Sequence, residues 1–221
     1  MARTRTKKAS APSAPPLSEK EQLELRKLRA EAERAELLLQ RDLRKDEIAE
    51  ASAEAHNTYT FYDEVNQESI KECLEEISSW VRQEPKCPIT LILNSPGGSV
   101  VDGLALYDYL MGLRKRGHKI TIICLGEAAS MGGVLLQAGN KRVVGRNFFM
   151  LMHQISYSCY GRSPEHRDEM KLVNMMESKL LRILAKRSAL TVREVRTNWE
   201  RTNWWIDSKK AVELGFADEI L

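Results

Sequence analysis

Hydrophobic positions divide the chain into two regimes. Residues 17–55 are dense in Glu, Leu, Ala, Arg and Lys and contain neither Gly nor Pro. Leu25, Leu28, Ala32, Ala35 and Leu39 step by three and four, which makes one narrow apolar stripe. Ser18 with Glu21 three residues later fits a capping box. The pattern predicts a long, highly charged helix. Its stripe is too narrow for a buried core helix, so it either pairs with another helix or lies on a domain surface; it is also short for a coiled coil.

Near Ala55 the pattern changes. Residues 58–62 (TYTFY) read as a strand, and 66–82 carry helical spacing through Ile70, Cys73, Leu74, Ile77, Trp80 and Val81. Residues 88–94 (PITLILN) form a short apolar strand ending at the turn SPGGS, followed by a helix over about 100–115. Residues 119–125 (KITIICL) read as a second buried strand ending at Gly126, with another helix starting near Ser130. Strands are expected at 141–145 and 148–153, helices at 164–187 and 191–200, then WWI at 204–206, a short helix over 208–214 and Gly215 as its C-cap. Strand alternates with helix and the strands are apolar throughout. That predicts an α/β fold with a largely parallel sheet covered by helices. Three segments are expected: a disordered basic tail over 1–16, a charged helical extension over 17–55, and one domain over 56–221.

Composition narrows the class. Of 221 residues, 43% are hydrophobic and 29% charged, which is ordinary for a soluble globular protein. No apolar run approaches the ~18–20 residues of a membrane span, and no apolar stretch follows the basic N-terminus, so neither a membrane partner nor a secretory signal is expected. A net charge of +3 is too weak to argue for specific nucleic-acid binding. Cys73, Cys87, Cys124 and Cys159 form no CxxC motif; Cys124 reads as core, and a cytoplasmic location is expected. No metal site and no cofactor are expected. His118 and His166 read as surface residues.

Two glycine-rich turns follow two buried strands: Asn94-Ser95-Pro96-Gly97-Gly98-Ser99 and Gly126-Glu127-Ala128-Ala129-Ser130-Met131-Gly132-Gly133. Loops at the carboxyl ends of strands are where α/β folds build sites. Small residues there let a substrate backbone approach, and N–H groups at a helix start can hold an oxyanion. Each part alone has a plainer reading. A serine at a helix start is usually an N-cap, a Gly-Gly pair is usually only a turn, and a histidine after a strand is usually a core or edge residue. Neither turn is a GxSxG elbow or a phosphate loop. The residues by themselves suggest acyl chemistry with an oxyanion hole.

The order NSPGGSV, GEAASMGG, MLMHQ resembles the proteolytic subunit of the Clp protease (ClpP), over residues 58–221 and including the ending AVELGFADEI. The resemblance implies a ClpP/crotonase-type fold of stacked βαβ units and a serine endopeptidase acting on protein or peptide substrates. Ser130 would be the nucleophile and His153 the general base, with Gly98 and Met131 N–H groups holding the oxyanion. Gly97, Gly98 and Ser99 would line the edge along which an extended peptide lies. The helix over 164–187 resembles the family's handle helix, and homo-oligomeric rings are implied.

Two departures matter. Where the family carries the triad Asp, this chain has Asn203, which can accept a hydrogen bond from His153 but brings no negative charge; Asp→Asn in a trypsin-type site costs ~10⁴ in rate. Asp207 or Asp168 is the alternative acid, although Asp207 also reads as the cap of the next helix. The other reading is a catalytically weak structural or regulatory ring subunit. The second departure is the extension before Thr58. It points to a phage-type head maturation protease acting on capsid or scaffold proteins in the host cytoplasm; an AAA+ unfoldase is the alternative partner. Three tryptophans, Trp199, Trp204 and Trp205, crowd the Asn203 region and read as core and contact residues, or as a wall beside the substrate. A crotonase-type acyl-CoA enzyme and a signal-peptide peptidase share parts of this pattern, but the former needs carboxylates near the second turn and the latter a Ser-Lys dyad.

Overall fold

The computed structural model describes residues 18–200 and 203–221; the tail expected over 1–16 lies outside them. Two units divide the described residues, with the boundary between Ala49 and Glu50. Helix α1 runs from Glu19 to His56. Leu28 and Leu39 of its expected stripe are both exposed, so this helix rests on the high propensity of its Ala, Leu, Glu, Lys and Arg residues. Among the described residues no helix is long and apolar enough to cross a membrane.

The following elements are β1 (Thr58–Phe61), α2 (Gln67–Gln83), β2 (Ile89–Ser95), α3 (Val100–Lys115), β3 (Ile120–Ala129), α4 (Met131–Leu136) and β4 (Lys141–Val144). Then come β5 (Phe149–Met152), α5 (Ser163–Arg187), α6 (Val192–Trp199), β6 (Trp204–Asp207), α7 (Ser208–Glu213) and β7 (Glu219–Ile220). Strands pair in the order β1-β2-β3-β4-β7, all parallel, and β5 joins β3 in parallel. The fold is therefore the α/β arrangement with a mostly parallel sheet; the β5–β6 pair is antiparallel. Leu91, Leu93, Ile120, Ile122 and Cys124 are fully buried in the two central strands, which is why these strands read as continuous apolar runs. Helix α2 starts where the Asn66 side chain accepts the N–H groups of Glu68 and Ser69, both at 3.0 Å, and it buries Ile70, Cys73 and Ile77 at three- and four-residue spacing.

Two expectations are corrected. Strand β3 does not stop at Gly126: it runs on to Ala129 and changes partner on the way. Thr121–Cys124 pair with β4, whereas Glu127–Ala129 pair with β5. Gly126 takes a φ of 91°, and the Asn94 carboxamide oxygen accepts Glu127 N–H at 2.8 Å, filling the irregularity opposite β2. A glycine that reads as a strand terminus is here a bulge that redirects the strand. The second correction is His118, which is buried, with Nδ1 donating to the Cys87 carbonyl at 3.0 Å. The register that sets Ile89 beside Ile120 carries the preceding residues of both strands together and covers the ring.

A polar knot closes the sheet at the C-terminal end of α4. Buried Arg142 donates to Gln137 Oε1 at 2.7 Å, to the Arg187 and Gly215 carbonyls at 3.0 and 2.7 Å, and to the Asp218 carboxylate. Gln137 Nε2 bonds the carbonyls of Gly133 and Phe216. Burial opposes ionisation of Asp218, but the hydrogen bonds and charge of Arg142 outweigh it and hold that carboxyl below its ordinary value.

Candidate active site

The first turn is fixed from outside. Val65 N–H donates to the Gly97 carbonyl and the Val65 carbonyl accepts Ser99 N–H, both at 2.7 Å. These bonds bracket Gly98, whose own N–H is thereby turned away from Val65. Gly97 and Gly98 have φ of 91° and 141°, values that L side chains rarely adopt. A Cβ on Gly97 would lie 2.6 Å from both the Ala129 carbonyl oxygen and Ser130 Cβ, so the absence of a side chain is what lets the two turns meet. Ser99 is taken up as the N-cap of α3, accepting Asp102 N–H at 3.3 Å.

The second turn carries Ser130 at φ 52° and ψ −118°, a conformation few non-glycine residues hold. Its N–H is tied to the Leu151 carbonyl at 2.7 Å, which locks the turn to β5. Ser130 stands at the N-cap of α4, yet its side chain makes no capping hydrogen bond. The plain N-cap reading therefore does not describe it, and its hydroxyl is left for other work. Helix α4 has six residues, so a macrodipole contributes little. The individual donors matter more: among the described residues neither Gly98 N–H nor Met131 N–H has an acceptor.

Ser130 and His153 line the same cleft of about 510 Å³ together with Gly97, Gly98 and Ser99. Its apolar wall includes Val134, Met152, Leu180 and Trp199, and Glu64 stands at the Gly98 edge. His153 follows β5, and its Nδ1 lies 2.6 Å from the Gln154 carbonyl oxygen. A carbonyl only accepts, so Nδ1 carries the proton and Nε2 keeps its lone pair. No hydrogen bond joins Ser130 Oγ to the ring among the described residues; such pairs commonly tighten only around a substrate.

Asn203 is exposed, and among the described residues no hydrogen bond links it to His153. The β5–β6 register ends by pairing Met152 with Trp204; one further step of the same register would set Asn203 across from His153. Asp207 caps α7 by accepting Lys210 N–H at 2.8 Å, and Asp168 is exposed beside Lys171 at 2.8 Å; neither lines the cleft. Of the three clustered tryptophans only Trp199 reaches it, from the end of α6. Trp199 fits the reading of a wall beside the substrate, whereas Glu64 and Leu180 escape sequence reasoning as lining residues because they come from distant elements.

A hydroxyl and an imidazole line one cleft on this sheet, and the sequence matches assign the chain to the serine-type peptidases. The chain belongs to the Clp protease family, whose model matches residues 41–221. It is 36% identical over 139 residues to the ATP-dependent Clp protease proteolytic subunit 2 of Tropheryma whipplei (strain Twist), covering 62% of this chain and 75% of that one. It is 31% identical over 159 residues to the ATP-dependent Clp protease proteolytic subunit 1 of Leifsonia xyli subsp. xyli (strain CTCB07), covering 71% and 79%.

Proposed function

We propose that this ClpP-type serine peptidase is an endopeptidase that works through Ser130 and His153 within a ring oligomer. The observation carrying this reading is the uncapped Ser130 hydroxyl, held at a positive φ in the cleft that His153 also lines. Ser130 Oγ attacks the scissile carbonyl while His153 Nε2 takes its proton. The new oxyanion accepts from Gly98 and Met131 N–H. His153 then protonates the leaving amine, and a water activated by the same imidazole hydrolyses the acyl-enzyme. Gly97, Gly98 and Ser99 form the edge for an extended peptide. Asn203, one register step beyond Trp204, is the proposed third member: its carboxamide oxygen, turned inward, shares the His153 Nδ1–H that the Gln154 carbonyl also accepts.

The test is fluorophosphonate labelling read by intact mass. Wild type takes up one label, Ser130→Ala none, and His153→Ala labels far more slowly. No labelling of folded, oligomeric wild type, with or without residues 1–55, would leave a structural or regulatory ring subunit as the reading. The long charged α1 supports the finer proposal that the protein acts in phage head maturation, with α1 docking onto capsid or scaffold proteins in the host cytoplasm; an AAA+ unfoldase feeding the ring is the other arrangement. A truncation starting near residue 56 that assembles and cuts every protein substrate as the full chain does would remove the docking role.

A further inference from the structure

We infer that Glu177 is a positioning residue for His153, acting through the peptide unit that joins Gln154 to Ile155. The Gln154 carbonyl accepts from His153 Nδ1 at 2.6 Å, and Ile155 N–H donates to Glu177 Oε1 at 3.2 Å. These two groups belong to one planar trans peptide, so they point in opposite directions. A continuous chain therefore runs from imidazole to carbonyl, from amide N–H to carboxylate.

Glu177 is 7% exposed and sits on the inner face of α5 with Val173, Leu180, Leu181 and Leu184. Among the described residues its recorded partner is that single N–H, and no cation pairs with it. A carboxylate buried on such terms costs stability that an apolar side chain of similar size would not. Its place behind the histidine explains why it is there. The carboxylate draws on Ile155 N–H, polarises the peptide and makes the Gln154 oxygen a stronger acceptor. That holds the Nδ1–H tautomer and turns the Nε2 lone pair to the cleft. When His153 takes the Ser130 proton, the negative charge behind the peptide favours the imidazolium. The proton on Nδ1 stays there, and none crosses the peptide. Glu177 thus supplies the charge that Asn203 lacks.

This inference rests on the Ser130–His153 reading, and a bland alternative exists in which Glu177 only ties α5 to the segment after β5. Glu177→Gln separates the two, because the amide oxygen still accepts Ile155 N–H while the charge is gone. The experiment is the rate of Ser130 labelling by a fluorophosphonate on the full chain across pH, in wild type and Glu177→Gln. The plateau rate is expected to fall about five- to tenfold. The acid limb is expected to move to lower pH by about half a unit, because the imidazolium has lost its partner. An unchanged plateau and acid limb in a folded Gln variant overturn the inference and leave the active-site reading standing. If that variant does not assemble, Glu177→Asp, which keeps the charge, must retain the wild-type acid limb; a shifted limb there overturns the inference too. Absence of Ser130 labelling in wild type overturns the active-site reading, and this inference with it.

Discussion

The two ends of α4, Ser130 and Gln137, are separated by six helical residues and are built on opposite rules. At its start, the Ser130 hydroxyl caps nothing and Met131 N–H has no acceptor among the described residues. At its end, Gln137 is bonded through both side-chain heteroatoms, Arg142 reaches three backbone or amide oxygens as well as Asp218, and Arg187 Nη2 donates to the Gly139 carbonyl at 2.9 Å. Apart from Arg187 Nε, which is buried without a partner among the described residues, satisfied polar groups hold the sheet to its last helices. Unsatisfied ones wait for a substrate. The contrast says that substitutions of the Ser130 side chain should change chemistry at no cost in stability, and that those at the second end should cost stability and leave chemistry alone.

Four measurements would break or sharpen that contrast. Ser130→Ala should lower peptide cleavage by about 10⁴ or more with little change in melting temperature; an equal loss of both would show that the first end is structural after all. Gly97→Ala comes next: its Cβ would press on Ser130 Cβ and the Ala129 carbonyl, both 2.6 Å away. Displacing the nucleophile by even ~1 Å should slow fluorophosphonate labelling about 100-fold. Arg142→Met should cost about 3 kcal/mol in urea unfolding, since it strands Asp218 and the carbonyls around it, while the folded fraction still labels at the wild-type rate.

The smallest effect is set by pH. The Asp218 carboxyl is held below its ordinary value in the folded state. Its contribution is therefore present above the unfolded carboxylate pKa of ~3.9 and is lost as pH falls through the lower folded value. Urea midpoints of wild type should drop across this acid window by more than those of Asp218→Asn. Parallel slopes would show that Arg142 is held by its carbonyl acceptors and not by the ion pair.

Much of the fold is legible in the chain because a parallel strand buried on both faces has no polar side to interrupt it. Residues 88–94 and 119–125 announce themselves in this way, and Asn66 and Thr191 sit where the helices they cap begin. The reading fails where geometry overrules residue type. Gly126 looks like a terminus, but the Asn94 side chain bridges the gap and β3 continues. His118 looks like a surface residue until strand register buries it. In the cleft, the paired glycine and serine turns are visible as motifs, because close approach requires small residues. The present acceptor of His153 Nδ1 is a backbone carbonyl, which no side-chain pattern can reveal. Glu177 lies in a charged helical sequence, where one acid among many gives no sign that it faces inward.

The backbone at Ser130 carries a consequence of its own. A φ of 52° with ψ of −118° is a place where a glycine would sit without strain, and a side chain there costs on the order of 1–3 kcal/mol. Ser130→Gly should therefore yield a protein that is inert and melts higher than wild type. Selection for thermostability alone, in a laboratory or in a lineage released from its substrate, would drift toward that dead variant. The hydroxyl persists only while something keeps asking for it.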